Sequence, residues 1–594
     1  MSMQLLTPMD LLNPDLEGLG RDPLLPCIDF SKTKPLRFVF PILLDGDLVL
    51  STEHLGPSYL VSVLRRAGVE CHIIEVSFEK DVAETVAEIA NLRPDVVGFS
   101  LTTIGVDKIT SFGRALKDAL HTNAFILAGG PLATHLREKL LALDGWDFLD
   151  GLVVGEGELP ILRFAEALAT DRAFSDVPNF VFRKDGAVVA TPLKAAPHDL
   201  DLIPEAARDQ FELHQRRLPY LRVSTSRGCS SHCTFCNAPH SHNRIGPASK
   251  GWRGRSPKRV IDEVEHLNRA YGVNTFDFVD STFEDPGGKA QGKARVRLMA
   301  EEILRRNLKI YFNVCMQSCN WTEDDRPLIR LLWESGLEKA LIGIESGSDD
   351  GLRRWGKRST VEDNARAIRL LRDQGVYVAF GFISYHPYSS FDEIRANYRF
   401  LHANLGHNLR RYTVRLELYP GAEIIEQLRK DGLLHPDYDQ RLNPFAYHYV
   451  DSRVQKLASA LNGLYGEEYE KSASIKKEPA VFVFETYDIV LHTYFSRLSR
   501  HALGNVGAQA ILADSSQQVA AVKSKIAQFN YDLVSQYVDL AEKEQLTREI
   551  IWSRAEQIES YYAQQIASLK SLQLRTSMQL HRAGLAVKDI QMAA

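Results

Sequence analysis

Cys229, Cys233 and Cys236 stand in the run Thr225-Ser226-Arg227-Gly228-Cys229-Ser230-Ser231-His232-Cys233-Thr234-Phe235-Cys236-Asn237, with the spacing C-x3-C-x2-C. Three thiolates so close on one short loop can converge on one metal centre. Three is one fewer than a closed four-thiolate site needs. A [4Fe–4S] cube held this way keeps one iron free to bind something else. Zinc would need a fourth ligand such as His232 or His240, yet zinc sites usually come as two C-x2-C pairs or a Cys pair with a His pair. The next cysteines, Cys315 and Cys319, lie about 80 residues further on. The triplet therefore reads as an iron–sulfur site with an open position.

The elements that must carry this loop alternate strand and helix. Tyr220–Ser224 reads as a strand feeding the cysteines, followed by strands at Phe276–Val279, Lys309–Val314, Lys339–Ile344, Val376–Ile383 and Thr413–Leu418. Helices such as Pro257–Tyr271 and Val361–Gln374 lie between them. Six such strands suggest a partial (β/α)6 barrel with its chemistry at the strands' carboxyl ends. Those ends carry Asp280-Ser281, Cys315 and Cys319, Gly343-Ile344-Glu345-Ser346-Gly347-Ser348 and Tyr385-His386. Tyr385 and His386 are candidates to face substrate, His being the natural proton carrier near neutral pH. Arg415 and Glu417 alternate with Val414 and Leu416, so they share one strand face. A cavity-facing pair there would bind a polar substrate.

Upstream, Leu36–Phe40, His72–Val76, Asp95–Ser100, Ala124–Ala128 and Leu152–Val154 read as five more strands separated by helical segments. That is a parallel, doubly wound α/β sheet, whose ligands sit outside the strands' carboxyl ends. These ends carry Ser100-Leu101-Thr102-Thr103, Gly129-Gly130-Pro131 and Gly155-Glu156-Gly157-Glu158, small residues that let a backbone approach a large ligand. The expected organisation is an extension at 1–34, the doubly wound domain at 35–175, a proline-punctuated linker at 176–217, the barrel at 218–425 and a mainly helical C-terminal region at 426–594. In that last region Val519, Val522, Ile526, Phe529, Leu533, Tyr537 and Leu540, and then Ile551, Ala555, Ile558, Tyr562, Ile566 and Leu569, repeat at steps of three and four. Two amphipathic helices follow, as a cap on the barrel or as a substrate or partner platform.

The composition narrows the function classes. With 44% hydrophobic and 25% charged residues, the 594-residue chain has the make-up of a soluble globular protein with sizeable cores. A net charge of −5 advertises no nucleic-acid field. No apolar run is long enough to span a membrane, and the N-terminus does not read as a signal peptide. Seven cysteines with three clustered point to a reducing, cytoplasmic setting.

At the cysteine triplet the chain resembles the radical S-adenosylmethionine (SAM) enzymes, and Phe235 before the last cysteine fits their pattern too. The resemblance implies a [4Fe–4S] cluster on Cys229, Cys233 and Cys236, with SAM on its open iron. It implies SAM contacts at Asp280, Ser281, Glu345, Ser346 and Ile383, with Lys357 and Arg358 near the SAM carboxylate. The glycine loops at Gly129-Gly130 and Gly155-Glu156-Gly157, together with Trp252-Arg253-Gly254-Arg255-Ser256-Pro257, resemble the cobalamin-binding domain that precedes many such barrels. Cobalamin contacts are then implied at Ser100, Thr102, Thr103, Gly129, Gly130, Gly155, Glu156 and Gly157. Cobalamin domains often carry D-x-H-x-x-G, whose histidine ligates cobalt. Here Thr52-Glu53-His54-Leu55-Gly56 is the nearest stretch and its glycine is one position too close. The expectation is cobalamin without a protein histidine on cobalt; His54 as a ligand, or a domain that has lost cobalamin, are the alternatives.

The activity implied is a cobalamin-dependent radical SAM methyltransferase. It would methylate a carbon of a small-molecule or peptide substrate through a 5′-deoxyadenosyl radical and methylcobalamin, fed by an external flavodoxin- or ferredoxin-like electron donor. A cyclase or ring-rearranging enzyme, methyl transfer to a nucleophilic carbon without hydrogen abstraction, and a non-catalytic iron–sulfur sensor are the other readings.

Overall fold

The computed structural model describes residues 22–44, 53–77, 82–102, 106–121, 124–170, 173–214, 220–238, 251–286, 290–465 and 479–585. Thr103 and His240 fall outside these residues.

The first sheet has the order β2-β1-β3-β4-β5-β6-β7. Its strands are β1 (Arg37–Leu44), β2 (Glu70–Ser77), β3 (Val96–Ser100), β4 (Phe125–Gly129), β5 (Gly151–Val153), β6 (Phe180–Lys184) and β7 (Ala187–Ala190). The first five are parallel, and β6 and β7 add antiparallel pairs at one edge. The segment read as a linker thus supplies two strands. Asp185-Gly186 between them, both at positive φ, makes the hairpin turn. Parallel strands crossed by helices are buried on both faces, hence the continuous run Phe38, Val39, Phe40 in β1. The order reverses between β1 and β3, and such a switch point opens a crevice at the strands' carboxyl ends.

The second sheet has the order β14-β13-β12-β11-β8, all parallel. It comprises β8 (Leu221–Val223), β11 (Thr275–Phe278), β12 (Tyr311–Met316), β13 (Leu337–Glu345) and β14 (Tyr377–Phe382). A small antiparallel pair, β9 (Ser226–Gly228) and β10 (Trp252–Gly254), sits on top of β8. The sixth expected strand, Thr413–Leu418, contributes one parallel bridge, Tyr385 to Arg415. The cause is a change of partner: Leu416 N–H donates to Tyr385 O, but Leu418 N–H donates to Pro444 O.

The C-terminal helices Ala480–His501, Val506–Glu542 and Ala555–Arg582 share one hydrophobic core with the barrel. Arg497 anchors them from inside. Its guanidinium grips Glu338 at 2.7 and 2.8 Å and lies 3.9 Å from the Tyr311 ring centroid. At the rim Arg395 pairs with Asp539 and Glu542 at 2.9 and 2.6 Å. Among the described residues no helix is long and apolar enough to cross a membrane.

Candidate active site

The cysteine loop is held from below before it turns. Asp280, at the end of β11, accepts from Thr225 N–H and Ser226 N–H at 2.8 Å each, and from the Thr225 hydroxyl. Arg295 reaches the Thr225 carbonyl at 3.3 Å. Gly228 follows at φ +87°, and a Cβ there would stand 2.1 Å from the Gly251 carbonyl oxygen across β9–β10. Only glycine permits that approach, so the loop leaves the strand at a fixed angle. The three sulfurs then lie near one another: Cys229 raises the cost of ionising Cys233 and Cys236, and Cys236 raises that of Cys233. Burial pushes the Cys233 thiol up to about 11 and Lys357 pulls it back. A bound iron centre would deprotonate it outright. None of the seven cysteines forms a disulfide. Among the described residues no three His, Cys, Asp or Glu side chains converge on a single ion. The donor set of three thiols fits a [4Fe–4S] cluster with one open iron.

Glu345 ends β13 at φ +65°, where the register with β14 shifts. A Cβ on Gly381 would stand 2.9 Å from its Oε1, and one on Gly343 would stand 2.8 Å from Oε1 and 2.9 Å from Lys357 Nζ. The carboxylate and the ammonium therefore lie over two bare strand positions on the concave face. Burial raises the Glu345 carboxyl pKa against the pull of Lys357 and Arg411. A carboxylate there can accept from the hydroxyls of a ribose.

In the first domain a cavity of about 300 Å³ opens at the switch point. Ser100, Gly129, Gly130, Gly155 and Gly157 line it, with apolar Phe40, Leu60, Val153 and Ile161. Gly130, at φ +87°, would put a Cβ 2.9 Å from the Leu101 carbonyl. Ser224, Arg227 and Val279 from the barrel close the same cavity. A slot of this shape fits a large ligand whose tail slides between glycine backbones. His54 is not among the lining residues; it sits near Arg222 and Glu75, and burial lowers its pKa.

Two ionic networks lock the domains together. Arg227, two residues before Cys229, donates to Glu156 at 2.8 Å and to Glu158 at 2.6 Å, and Arg253 also pairs with Glu156. Arg227 lies 5.2 Å from the Tyr59 ring centroid. Beneath, Arg208 bridges Glu53 at 2.8 Å and Glu263 at 3.1 Å, and Arg255 binds Glu263 at 2.6 Å. All four of these side chains are buried. Among the described residues each network sets two cations against two carboxylates, so the buried charges compensate one another.

Several of the expected contact residues are engaged within the protein. Asp280 and Ser346 are 3% and 1% exposed, and their oxygens are engaged within the protein, Ser346 with Asn397 at 3.0 Å and Ser348 N–H at 3.1 Å. Both brace loops at the strand ends. Glu156 lines the cavity, but its oxygens face Arg227 and Arg253. Tyr385 is fully buried and its hydroxyl meets that of Tyr398. His386 is 1% exposed, bonded to Glu393 at 3.1 Å and against Trp355, and burial lowers its pKa. Both side chains have their polar atoms paired inside the protein. Arg415 stacks 4.1 Å from the Phe445 ring centroid and donates to Asn462, while Glu417 accepts from the Tyr419 hydroxyl. Both charges lie near the buried Tyr447. Ser281 and Thr102 are exposed, Phe235 is half-buried against Trp355, and Ile383 is buried with its N–H on the Glu345 carbonyl. Residues the sequence did not flag are Arg227 and Gln317, whose Nε2 lies 3.7 Å from Cys229 Sγ. Arg227 sits inside the motif and was legible as a charge beside it; Gln317 carried no signal.

A doubly wound sheet with a glycine-lined cavity, set against a partial barrel with a cysteine triplet, defines a class: a B12-binding domain joined to a radical SAM domain. The comparisons agree. The radical SAM superfamily matches residues 223–401 and the B12 binding domain matches residues 46–165. The chain is an enzyme of the cobalamin-dependent radical SAM family, with a [4Fe–4S] cluster, SAM and cobalamin as the cofactors these domains imply. It is 27% identical over 384 residues to an uncharacterized methyltransferase of Pyrococcus horikoshii, covering 64% of this chain and 79% of that one. It is 29% identical to the anaerobic magnesium-protoporphyrin IX monomethyl ester cyclase of Rubrivivax gelatinosus, over 55% of this chain and 58% of the cyclase. Among solved structures, the cobalamin-dependent S-adenosylmethionine radical enzyme OxsB with aqua-cobalamin and S-adenosylmethionine shares the fold at TM-score 0.61 and 17% identity, over 90% of this chain and 84% of OxsB.

Proposed function

We propose that the chain is a C-methyltransferase that acts on a carbon centre of a biosynthetic intermediate. When bound, the cluster and SAM supply a 5′-deoxyadenosyl radical and cobalamin carries the methyl group. Cys229, Cys233 and Cys236 hold the cluster at the mouth of the barrel. Glu345 accepts from the SAM ribose, and Lys357 faces the carboxylate of its methionine part. Gly129, Gly130, Gly155 and Gly157 admit the cobalamin tail. The Arg227 clamp keeps the two loops in register, which matters because the reacting carbon must lie near both reagents at once. An external one-electron donor completes the system.

The observation that carries this reading is the shared wall. The cavity lined by the glycine loops is also lined by Ser224, Arg227 and Val279, and Ser224 and Arg227 lead into the cysteine loop. A ligand seated there faces the barrel mouth. A second reading, ring formation, is supported by similarity to the cyclases. Reconstituted protein supplied with cobalamin, a reductant and methyl-deuterated SAM decides between them. Label in a substrate carbon supports methylation; 5′-deoxyadenosine with no label transferred, across candidate substrates, supports ring chemistry and overturns the methyl transfer.

A further inference from the structure

We propose that Gln317 tunes the reduction potential of the cluster by donating its side-chain amide to the Cys229 sulfur. The proposal rests on the assignment of the cysteines to the cluster. Gln317 Nε2 lies 3.7 Å from Cys229 Sγ, although 88 residues separate them in the chain. Its Oε1 accepts from the Ser231 hydroxyl at 3.2 Å, which leaves the NH2 group for the sulfur. Ser231 N–H donates to the same sulfur at 3.4 Å. Cys229 is thus doubly hydrogen-bonded.

The donor is fixed from behind. Gln317 N–H donates to Glu284 Oε1 at 2.9 Å, and Asn320 Nδ2 reaches the same oxygen at 2.8 Å. Glu284 is fully buried. A short helical turn, Ser318–Asn320, begins at the next residue and ends on buried Trp321. The side chain therefore projects from an anchored backbone, and little of its hydrogen-bond strength is lost to motion.

Reduction of an iron–sulfur cluster adds negative charge that spreads onto the thiolate sulfurs. An N–H aimed at one of those sulfurs stabilises the reduced form, so hydrogen bonding is one of the levers that set cluster potentials. Removing one such bond should shift the reduced-to-oxidised ratio about two- to tenfold. At 59 mV per tenfold for one electron, that is roughly 20–60 mV downward.

The test uses full-length protein reconstituted anaerobically with iron and sulfide. The midpoint potential is read by electron paramagnetic resonance at set poise for wild type, Gln317→Leu and Gln317→Lys. Gln317→Leu should be harder to reduce by the stated factor, and Gln317→Lys, whose ammonium also donates, should stay at or above wild type. Electron–nuclear double resonance in light and heavy water should show one exchangeable coupling in wild type that Gln317→Leu lacks. An unchanged potential in Gln317→Leu at full iron content overturns the proposal. If that variant takes up no cluster, the wild type labelled with 15N-glutamine decides: no nitrogen-linked exchangeable coupling overturns it. A wild type that holds no iron overturns the cysteine assignment, and this inference with it.

Discussion

Replacing Arg227 with Met should unfasten the two domains at the point where their loops meet. The guanidinium holds Glu158 at 2.6 Å and Glu156 at 2.8 Å, and all three side chains are at most 15% exposed. Without it Glu156 keeps Arg253, but Glu158 has no other cation paired with it among the described residues. Breaking a buried pair by deleting one partner costs about 3–5 kcal/mol, because the other charge stays buried. Glu158 is the first residue of the helix Glu158–Ala169, whose dipole returns about 0.3–1 kcal/mol. The net loss is then about 2–4 kcal/mol, or roughly 4–16 °C in Tm for a domain of this size. The double variant R227M/E158Q removes the orphaned charge and should recover more than half of the loss. Calorimetry reads both, and titration with hydroxocobalamin should show weaker binding in R227M, since the clamp also holds Gly155 and Gly157. A single variant within 1 kcal/mol of wild type, or a double variant no better than the single, would refute the claim that this clamp is energetically significant.

Cys233→Ala should abolish the cluster's visible absorption and all 5′-deoxyadenosine formation; iron retained at the wild-type level would refute the site. His54→Ala should leave hydroxocobalamin affinity within about threefold, because His54 does not line the cavity; a loss beyond tenfold would make it a ligand. Gly130→Val should lower cobalamin binding at least tenfold while the barrel still takes up iron, because a side chain at φ +87° meets the Leu101 carbonyl. Burial, with Lys523 nearby, holds His492 down at about 4, against 6.5 in the unfolded chain. Between those values the unfolded state carries a proton that the folded state lacks. Stability should therefore fall as pH drops from 6.5 toward 4, by up to about 1.4 kcal/mol per pH unit from this residue. Tm measured from pH 7 to 5 should decline less steeply in His492→Gln.

Much of the scaffold was legible in the chain itself. The helix expected over Pro257–Tyr271 forms over those residues, because Ser256 caps it, Pro257 opens it and Gly272 ends it in the left-handed region. Strand positions were legible because parallel strands need apolar runs and helices need 3.6-residue spacing. Residue roles were less legible. Ser346 and His386 carry the right atoms at the right strand ends, yet Asn397 and Glu393 from one helix take those atoms up. Thr413–Leu418 alternates like a strand, but its backbone bonds go to Pro444 after Leu416.

The sequence alone determined the reagent: three thiols at C-x3-C-x2-C on a short loop are a local property, set by covalent spacing. It determined the two-sheet architecture as well, since periodicity is written along the chain. Only the tertiary structure decided that Glu156 and Glu158 serve Arg227, and that Gln317 reaches Cys229 across 88 residues. Those pairings depend on which strands lie side by side, and a buried charge or amide takes the partner that folding brings within about 3–4 Å, whatever its distance in sequence.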